Sequence, residues 1–412
     1  MRQIAILHYA SAPVVGGVEA TITYHARGLV DLGYDVRVIS GVGAPFDPSV
    51  ETHIEPLFGS KDPDVLAMKR ALDGGTVPDD FEPLVERMTA ALRVALDGCT
   101  VCIAHNVPTL NKNLPLSAAL RRLSDAGEMR VIAWCHDLAW TNPQYLPELH
   151  DGYPWDVLRE RWPGARYVTV SDARQLELAE LLDLPPDVVA VVVPGIDPAS
   201  FFNWTPTTHM IAQRLNLMDA DGLLLTPARL TRRKNIQLGL RILAATRAQS
   251  GRDFRLVVTG PPGPHNPTNP GYLGELLGLR RDLGLDDSAH FLYAYGDGDE
   301  PLIPDDATMA NLYLSCDALL FPSIQEGFGI PVLEAGLAGI PAFCADIPPL
   351  RKTGGTEAVY FDPVDEAPEI IAARILTTLE ANPQFRLRVR VRQQNRWDVL
   401  IRECLVPLLE EH

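Results

Sequence analysis

The sequence predicts an α/β protein of two domains, each built on a parallel β-sheet, that face each other across a cleft. Its 412 residues exceed what one hydrophobic core usually supports, so two domains of about 200 residues are expected. The chain opens with an apolar strand, a glycine-rich loop, a helix and a second apolar strand, and such βαβ units build parallel sheets. The same order starts again after residue 220. Because such folds bind ligands at the carboxyl ends of their strands, the cleft is expected to hold the site.

The first domain begins with a strand over residues 3–9 and a loop over 10–17. A helix follows over 18–32 and ends at Gly33, and the next strand covers 35–40. Further apolar runs predict strands at 101–104, 130–135, 167–170 and 188–193. Helical patterns separate these runs, so the first domain has a complete α/β order.

The second domain begins with a strand at Leu223 that leads into a loop. The next elements are an amphipathic helix over 235–249 and a strand over 255–260. Later strands are predicted at 290–293, 318–322 and 342–344. Residues 198–220 lack a strong period and contain proline and asparagine, so we place the linker there.

These patterns set the expected limits of the domains. Residues 1–203 form the first domain and residues 204–389 form the second, while residues 390–412 are expected to pack back on the first. A helix over 396–411 is apolar on one side, and such a side needs an apolar partner. Its apolar residues are Trp397, Leu400, Ile401, Cys404, Leu405 and Leu408.

Charge and composition exclude several classes of protein. The net charge of −17 argues against a nucleic-acid partner, which requires a basic surface. No apolar stretch reaches the ~18 residues that span a bilayer, and the first strand follows no basic leader. The six cysteines are scattered rather than spaced as a disulfide framework, which favours a cytoplasmic location. Cys99 and Cys102 form a C-x-x-C without a second pair at zinc spacing, so we expect ordinary buried cysteines rather than redox or metal chemistry.

The only basic cluster lies just before the last helix. It consists of Arg386, Arg388, Arg390, Arg392 and Arg396. One interpretation is a solvated helix face. The other is a peripheral contact with a membrane surface or a protein partner.

The most informative segment covers residues 321–335. A strand ends in a loop that contains Gly327 and Gly329, and a helix then starts with Pro331 in its first turn. Backbone amides in such a loop and at such a helix start can bind hydroxyls or phosphates. Glu326 projects from the loop and Glu334 lies in the opening turns of the helix, so both carboxylates can face one cleft. A capping box at Ser323-x-x-Glu326 is the structural alternative, but the glycines that follow prevent a helix from continuing there.

The E-x7-E spacing of Glu326 and Glu334 and the residues around it resemble the retaining family-four glycosyltransferases of the GT-B fold, which has two Rossmann-like domains. The resemblance covers nearly the whole chain. Four further segments carry it: Gly16–Glu19, His136–Asp137, Val193–Asp197, and the segment that holds Arg229 and Lys234. Residues 193–197 depart from the family pattern, because the usual asparagine before the glycine is missing.

The resemblance implies a nucleoside-diphosphate sugar as donor. It assigns the ribose hydroxyls to Glu334, whose carboxylate offers two oxygens to a vicinal diol. It assigns the diphosphate to Arg229 and Lys234, although a surface arginine after a strand is the structural alternative for Arg229. Glu326 and the backbone amides after it would contact the transferred sugar. The complete predicted donor set is Gly16, Gly17, Arg229, Lys234, Gly260, Glu326, Gly327, Phe328, Gly329, Ile330 and Glu334.

In the first domain the resemblance implies that His136 lies near a far hydroxyl of the sugar and that the amide of Gly17 approaches the phosphates. A lone histidine after an apolar strand is otherwise more often structural. His105 and Asn106 follow the strand at 101–104 in a similar way, so they are candidates for binding the acceptor. The predicted catalytic residues are Glu326, His136, Arg229 and Lys234.

The predicted activity is retaining, metal-independent transfer of a hexosyl group from the donor to a hydroxyl acceptor, with no cofactor. Two alternatives stay open: a sugar-nucleotide epimerase of the same fold, and a non-catalytic sugar-nucleotide-binding subunit. A D-x-D pattern at 297–299 resembles a manganese motif of other glycosyltransferases, but its polar context predicts a solvated loop. The proline-rich segment 261–272 is predicted to be a rigid loop near the nucleotide base. It either helps to select the base or the acceptor, or is simply a stiff surface loop.

Overall fold

The computed structural model describes residues 3–263, 269–296 and 300–410. The chain divides into two compact units: unit 1 comprises Met1–Gly195 and Asn395–His412, and unit 2 comprises Ile196–Gln394. Each unit contains one sheet, and all neighbouring strands in both sheets run parallel. The prediction of two parallel α/β units is therefore confirmed.

The sheet of unit 1 has seven strands in the order β3-β2-β1-β4-β5-β6-β7. They are β1 Gln3–Ala10, β2 Asp35–Val42, β3 Glu51–Ile54, β4 Cys99–His105, β5 Arg130–Cys135, β6 Ala165–Thr169 and β7 Ala190–Val191. The sheet of unit 2 has six strands in the order β10-β9-β8-β11-β12-β13. They are β8 Gly222–Thr226, β9 Phe254–Val258, β10 Ala289–Phe291, β11 Ala318–Phe321, β12 Ala342–Ala345 and β13 Val359–Phe361.

Helices connect the strands of both sheets. In chain order they are α1 Gly17–Asp31, α2 Pro63–Asp73, α3 Phe81–Ala95, α4 Leu114–Asp125, α5 Asp172–Leu181, α6 Pro198–Phe201, α7 Pro206–Arg214, α8 Ile236–Ser250, α9 Asn269–Asp282, α10 Asp306–Ser315, α11 Ile330–Leu337, α12 Pro348–Gly354, α13 Pro368–Ala381, α14 Pro383–Gln394, α15 Trp397–Leu400 and α16 Val406–Glu410. A π-helical segment over Ile401–Leu405 joins the last two. Parallel strands require crossover connections of this kind.

The core of unit 1 lies on both faces of its sheet. Along β1, Ile4 and Ile6 belong to one buried cluster, whereas Ala5 and Leu7 belong to another. This alternation is the two-residue period of a strand. Because both faces are covered, the strand is apolar throughout its interior, and such runs make the strands of a parallel sheet recognisable in sequence.

The last segment of the chain packs on α1 within unit 1. The Trp397 ring stacks on Tyr24, with ring centroids 5.2 Å apart and an interplanar angle of 15°. A side chain at Gly28 would clash with Ile401, and a side chain at Gly195 would clash with the Trp397 ring. The predicted continuous helix over 396–411 is wrong in detail, since the π-helical segment interrupts it.

Other sequence predictions also needed correction. The strand predicted at 188–193 is only two residues long, because a 3₁₀ turn over Pro186–Val188 occupies its start. The predicted linker over 198–220 contains α6 and α7. The edge strands β3 and β13 were not predicted, because they are short and partly exposed.

The proline-rich segment 261–272 is not a loop throughout, since α9 begins at Asn269. Residues 264–268 lie outside the described part of the chain, as does the D-x-D at 297–299.

The arginine cluster is not a uniformly solvated helix face. Arg392 is buried and forms an ion pair with the equally buried Asp317, with Nη2 2.9 Å from Oδ2. Arg396 is also buried and pairs with Asp398, again at 2.9 Å. Arg388 donates to the carbonyl oxygen of Cys316. Arg386 donates to the carbonyl oxygen of Glu380, so four of the five cations bond within their own unit.

Candidate functional site

The predicted donor residues of unit 2 follow β8 and β11. These neighbouring strands mark the point where the strand order of the sheet reverses, and open α/β sheets bind ligands at such a point. The two loops are bonded to each other. The Ile324 amide donates to the Arg233 carbonyl at 2.9 Å, and Nη1 of Arg233 donates to the Gln325 carbonyl at 3.1 Å.

Lys234 and Glu326 form an ion pair between these loops. Their side chains are only 11% and 9% exposed, so this pair is largely shielded from water. The Lys234 ammonium also lies 4.9 Å from the centre of the Phe321 ring. Arg233 approaches the other Glu326 oxygen at 3.7 Å, but its own side chain is half exposed. The cation assigned to phosphate and the carboxylate assigned to the sugar thus neutralise each other in this state.

Arg229, unlike Lys234, lies on the surface. Its side chain is exposed and has no hydrogen-bond or ion-pair partner within the described ranges. Gly260 explains how the loop after β8 passes so close to the loop after β9. A side chain at Gly260 would clash with the Ala228 carbonyl, so only glycine permits this approach. Gly260 therefore has a structural role, close packing of the two loops, besides its predicted role in the donor site.

The loop before α11 exposes backbone donors. The amides of Gly327, Phe328 and Gly329 have no backbone partner among the residues that the structure describes. Gly329 adopts φ +95°, and a side chain there would also clash with Leu350. Thr353 donates its hydroxyl to the Phe328 carbonyl and so fixes the loop from the other side. A fixed loop with unpaired amides at a helix start is suited to bind hydroxyl or anionic oxygens.

Glu334 is exposed on α11, and one of its oxygens accepts a hydrogen bond from the Tyr313 hydroxyl at 2.6 Å. Tyr313 lies in α10 and is buried, and burial together with the Glu334 carboxylate raises the pKa of its hydroxyl. Tyr313 thus orients Glu334. The sequence analysis missed it, and no local pattern marks it, because its role depends on the packing of α10 beside α11.

In unit 1, Gly16 and Gly17 form the start of α1. Gly16 precedes the helix in an extended conformation, and a side chain there would clash with the Glu19 carboxylate. Glycine therefore leaves room for this carboxylate at the positive end of the helix. Gly17 is exposed and has open space around its Cα.

His136 follows β5, beside the end of β4. Its Nε2 lies 2.9 Å from Nδ1 of His105. Its backbone amide donates to Oδ1 of Asn106 at 2.8 Å, and the Asp137 amide donates to the same oxygen at 3.1 Å. Asn106 itself has φ +58°, a left-handed conformation that asparagine tolerates better than most residues.

Acceptor binding by His105 and Asn106 stays a prediction of the sequence. His105 is 0% exposed and Asn106 is 3% exposed, so neither side chain is accessible to a ligand in this structure. Their polar atoms face His136 and the loop that carries it. Both residues therefore shape the surroundings of His136 instead of presenting a surface of their own.

Two further histidines complete a cluster around His105. His8 on β1 donates Nδ1–H to the His105 carbonyl at 2.8 Å, and the His25 ring of α1 lies 5.5 Å from the His105 ring. Burial lowers the pKa of His25 to about 3 and that of His136 to about 4. Burial also lowers the pKa values of His8 and His105. All four imidazoles are thus neutral at pH 7, which suits them to hydrogen bonding with uncharged groups.

The described residues are 3–263, 269–296 and 300–410. Across these ranges, no group of three or more His, Cys, Asp or Glu is arranged to hold a metal ion. Likewise, no helix within them combines the length and the apolar character of a membrane span.

Two family models match the chain and leave little of it uncovered. The description of the first is "Glycosyltransferase Family 4", and it matches residues 15–200. The description of the second is "Glycosyl transferases group 1", and it matches residues 210–396. The boundary between the two matches falls at the start of unit 2.

Several curated proteins are similar to this chain. O-antigen chain mannosyltransferase B of Escherichia coli is 24% identical over 253 residues, which are 61% of this chain and 61% of that protein. D-inositol 3-phosphate glycosyltransferase of Stackebrandtia nassauensis is 32% identical over 184 residues, or 44% of this chain and 38% of that protein. Mannosylglucosylglycerate synthase of Thermotoga maritima is 23% identical over 366 residues, which are 82% of this chain and 79% of that protein. The chain therefore spans less than two thirds of the length of the first two relatives.

Among solved structures, Anabaena Alr3699/HepE in complex with UDP and glucose is 16% identical and is covered over 100% of both chains, with a TM-score of 0.36.

Proposed function

The chain belongs to the group 1 glycosyltransferases of family 4, and from that premise we propose that it transfers a hexosyl group from a nucleoside-diphosphate sugar to a hydroxyl acceptor. Transfer proceeds with retention at the anomeric carbon and without a metal ion. Relatives that carry mannosyltransferase and mannosylglucosylglycerate synthase in their names favour a hexosyl group. The cytoplasmic location stays a prediction of the sequence.

One observation carries the proposal: unit 2 gathers cations, unpaired amides and a carboxylate at one reversal point of its sheet. Arg229 is an exposed cation without a partner in the described ranges, and Lys234 lies on the same loop. The amides before α11 have no partner among the described residues, and Glu334 is exposed on that helix. Cations and amides suit a diphosphate, whereas a carboxylate suits a ribose diol. A sugar nucleotide contains both of these groups.

Each residue then has a role in the reaction. Arg229 and Lys234 stabilise the charge that develops on the departing diphosphate, which is the task of a metal ion in other enzymes. The phosphate competes with Glu326 for Lys234, so donor binding weakens the ion pair and allows the Glu326 carboxylate to accept from sugar hydroxyls. Glu334, held by Tyr313, accepts hydrogen bonds from the ribose. His136, neutral at pH 7, contacts a hydroxyl of the transferred sugar.

The proposed step balances without a protein nucleophile. The bond between the anomeric carbon and the phosphate oxygen breaks, and the acceptor oxygen bonds to the same carbon from the same face. The acceptor proton passes to the departing diphosphate. This course gives retention, and the oxocarbenium-like sugar is stabilised by the adjacent diphosphate.

Nucleotide binding tests the donor site. Calorimetry with UDP, GDP and ADP in the presence of EDTA should find one preferred diphosphate for the wild-type protein. Glu334→Ala should weaken its binding by about 10-fold or more, because hydrogen bonds to a charged group contribute about 1.5–3 kcal/mol. Glu369→Ala is the matched control, since Glu369 is an exposed helical glutamate of the same unit with no side-chain partner in the described ranges. Equal affinity in Glu334→Ala and wild type, or binding only with added divalent metal, would contradict the proposal.

Product analysis tests the reaction. Incubation with the preferred sugar nucleotide and candidate acceptors should yield a glycoside whose anomeric configuration, read by NMR, matches that of the donor. Formation of a different sugar nucleotide from donor alone would indicate an epimerase instead. Binding without turnover for any acceptor would favour a non-catalytic subunit.

A further inference from the structure

The hydrogen bond between the His105 and His136 rings can form in two ways, which differ in the ring nitrogen that carries the proton. Two ring nitrogens 2.9 Å apart must share one hydrogen, because a neutral imidazole has one N–H and one bare nitrogen. Either Nδ1 of His105 donates to Nε2 of His136, or Nε2 of His136 donates to Nδ1 of His105. Burial lowers the pKa values of both rings, so each carries a single proton at pH 7.

The surroundings of His105 decide between these arrangements. Its Nε2 is buried and has no hydrogen-bond partner in the described part of the chain. If His136 donated, the proton of His105 would be on this Nε2 and would form a buried donor without an acceptor. If His105 donates, its Nε2 is instead a bare acceptor. Orphaned buried N–H groups are the rarer of the two in folded proteins.

We propose that His105 is a positioning residue that donates Nδ1–H to Nε2 of His136 and thereby holds the His136 proton on Nδ1. With Nε2 occupied inside the protein, Nδ1–H is the one polar atom of the ring that remains for a ligand. His136 then acts as a neutral hydrogen-bond donor and has no free lone pair with which to accept a proton. The tautomer is independent of the proposed glycosyl transfer, whereas the use of Nδ1–H in catalysis rests on it.

The frame around the two rings supports a fixed arrangement. The side-chain oxygen of Asn106 accepts hydrogen bonds from the backbone amides of His136 and Asp137. The backbone amide of Asn106 donates to the Trp134 carbonyl at 2.9 Å. His8 donates to the His105 carbonyl at 2.8 Å. The His105 ring also stacks on Trp134, with centroids 5.5 Å apart and an angle of 30°. The pair is therefore held by β1, β4 and β5 together, which leaves the rings little freedom to exchange roles.

Nitrogen NMR of the full chain with ¹⁵N-labelled histidine tests the tautomer directly. The His136 signals, assigned by their loss in His136→Gln, should show a protonated Nδ1 and a bare Nε2 at pH 7.5, which is the less common tautomer of free histidine. A protonated Nε2 in the wild-type protein would overturn the proposal. This measurement needs no activity and no variant of His105.

Two variants of His105 extend the test. In His105→Asn the side-chain amide replaces Nδ1–H near the same position, so His136 should keep its proton on Nδ1. In His105→Leu the donor that fixes the ring is lost, so the His136 ring can turn its Nε2 towards solvent, and its proton should move to Nε2, the common position in free histidine. An unchanged tautomer in a folded His105→Leu protein would overturn the proposal.

Kinetics separate a positioning role from a merely structural one. Relative to wild type, His105→Leu should lower kcat by about 10-fold or more, as expected for loss of one catalytic hydrogen bond of about 1.4 kcal/mol. Affinity for the diphosphate selected by calorimetry should stay unchanged, and His105→Asn should recover most of kcat. The expected tautomer in a protein without transferase activity would refute the proposed function but not this assignment, so the two can fail separately.

Discussion

Unit 1 and unit 2 carry their candidate residues at equivalent points of similar sheets, yet the chemistry at those points differs. In unit 1 the strand order reverses between β1 and β4, and the polar groups there include four imidazoles with lowered pKa values, three of them buried. In unit 2 it reverses between β8 and β11, and the groups there are charged. The backbone arrangement therefore provides a place for a ligand, and the side chains decide which ligand chemistry each unit can recognise.

The two units also use burial differently. In unit 1, burial keeps His25 and His136 uncharged, since desolvation penalises the imidazolium. In unit 2, the shielded Lys234 and Glu326 form an ion pair, so each side chain has a counterion beside it. Neutral donors suit sugar hydroxyls, and a cation that can exchange one anionic partner for another suits a phosphate.

The largest expected effect that separates the units is the loss of stability on acidification. Below about pH 6.5 the histidines of the unfolded chain bind protons, whereas the four clustered histidines of unit 1 do not, since desolvation lowers their pKa values. Acidification therefore lowers the free energy of unfolding. Between pH 7 and pH 5, His25 and His136 each account for about 2 kcal/mol, and His8 and His105 act in the same direction. Among the described residues of unit 2, one histidine has a lowered pKa, His290, at about 4.

Urea unfolding at pH 7 and pH 5, followed by pulsed hydrogen exchange and mass spectrometry, checks this difference. Peptides from β4 and β5 should lose protection at a much lower urea concentration at pH 5 than at pH 7. For peptides from β8 and β9, the urea concentration at which protection is lost should change less. Carboxylates are mostly ionised throughout this window, so they add little. In His25→Phe, unit 1 should become less sensitive to pH. Equal shifts in both units would mean that the imidazoles of unit 1 do not stay neutral.

The next largest effect concerns the charged pair of unit 2. Lys234→Ala leaves the mostly buried Glu326 carboxylate without its principal counterion, which should cost about 3 kcal/mol of stability. It also removes a cation from the leaving group, so kcat/KM should fall by roughly 10²–10³-fold. Thermal unfolding and steady-state kinetics measure the two effects.

Arg233→Ala is the matched control for this variant. It removes the same charge one residue earlier, but the Arg233 side chain is 50% exposed and lies 3.7 Å from Glu326. Because water screens exposed pairs, its stability should change by less than about 1 kcal/mol. Similar losses in both variants would show that burial does not distinguish the two cations.

The sequence predicted the architecture well where burial leaves a strong pattern. Strands covered on both faces are continuous apolar runs, and β5 was predicted with its observed limits, Arg130–Cys135. The edge strand β3 was missed because its residues, Glu51–Ile54, are partly or fully exposed and do not form an apolar run. The C-terminal segment was predicted to be helical, but a π-helical insertion has no simple sequence signal.

The site was predictable only as far as local motifs reach. Glu326 and Lys234 were found separately, and their pairing became visible only once the loops after β8 and β11 were placed side by side. His105 was correctly placed at the end of a strand, but its depth depends on the covering α1 helix. Tyr313 was missed for the same reason, since it acts across two helices.

The smallest of the three effects tests how firmly unit 1 holds His136. Asn106→Ala removes the oxygen that accepts two backbone amides and leaves alanine at φ +58°. Unpaired buried donors and the left-handed backbone should together cost about 2 kcal/mol. Asn203→Ala in unit 2 is the control, because Asn203 has φ +49° but is exposed and has no side-chain hydrogen bond within the described ranges. Its cost should be about 1 kcal/mol, from the backbone alone. If thermal unfolding gave equal losses for both variants, the Asn106 amide would not hold the His136 loop, and the rigid neutral site attributed to unit 1 would lose its main support.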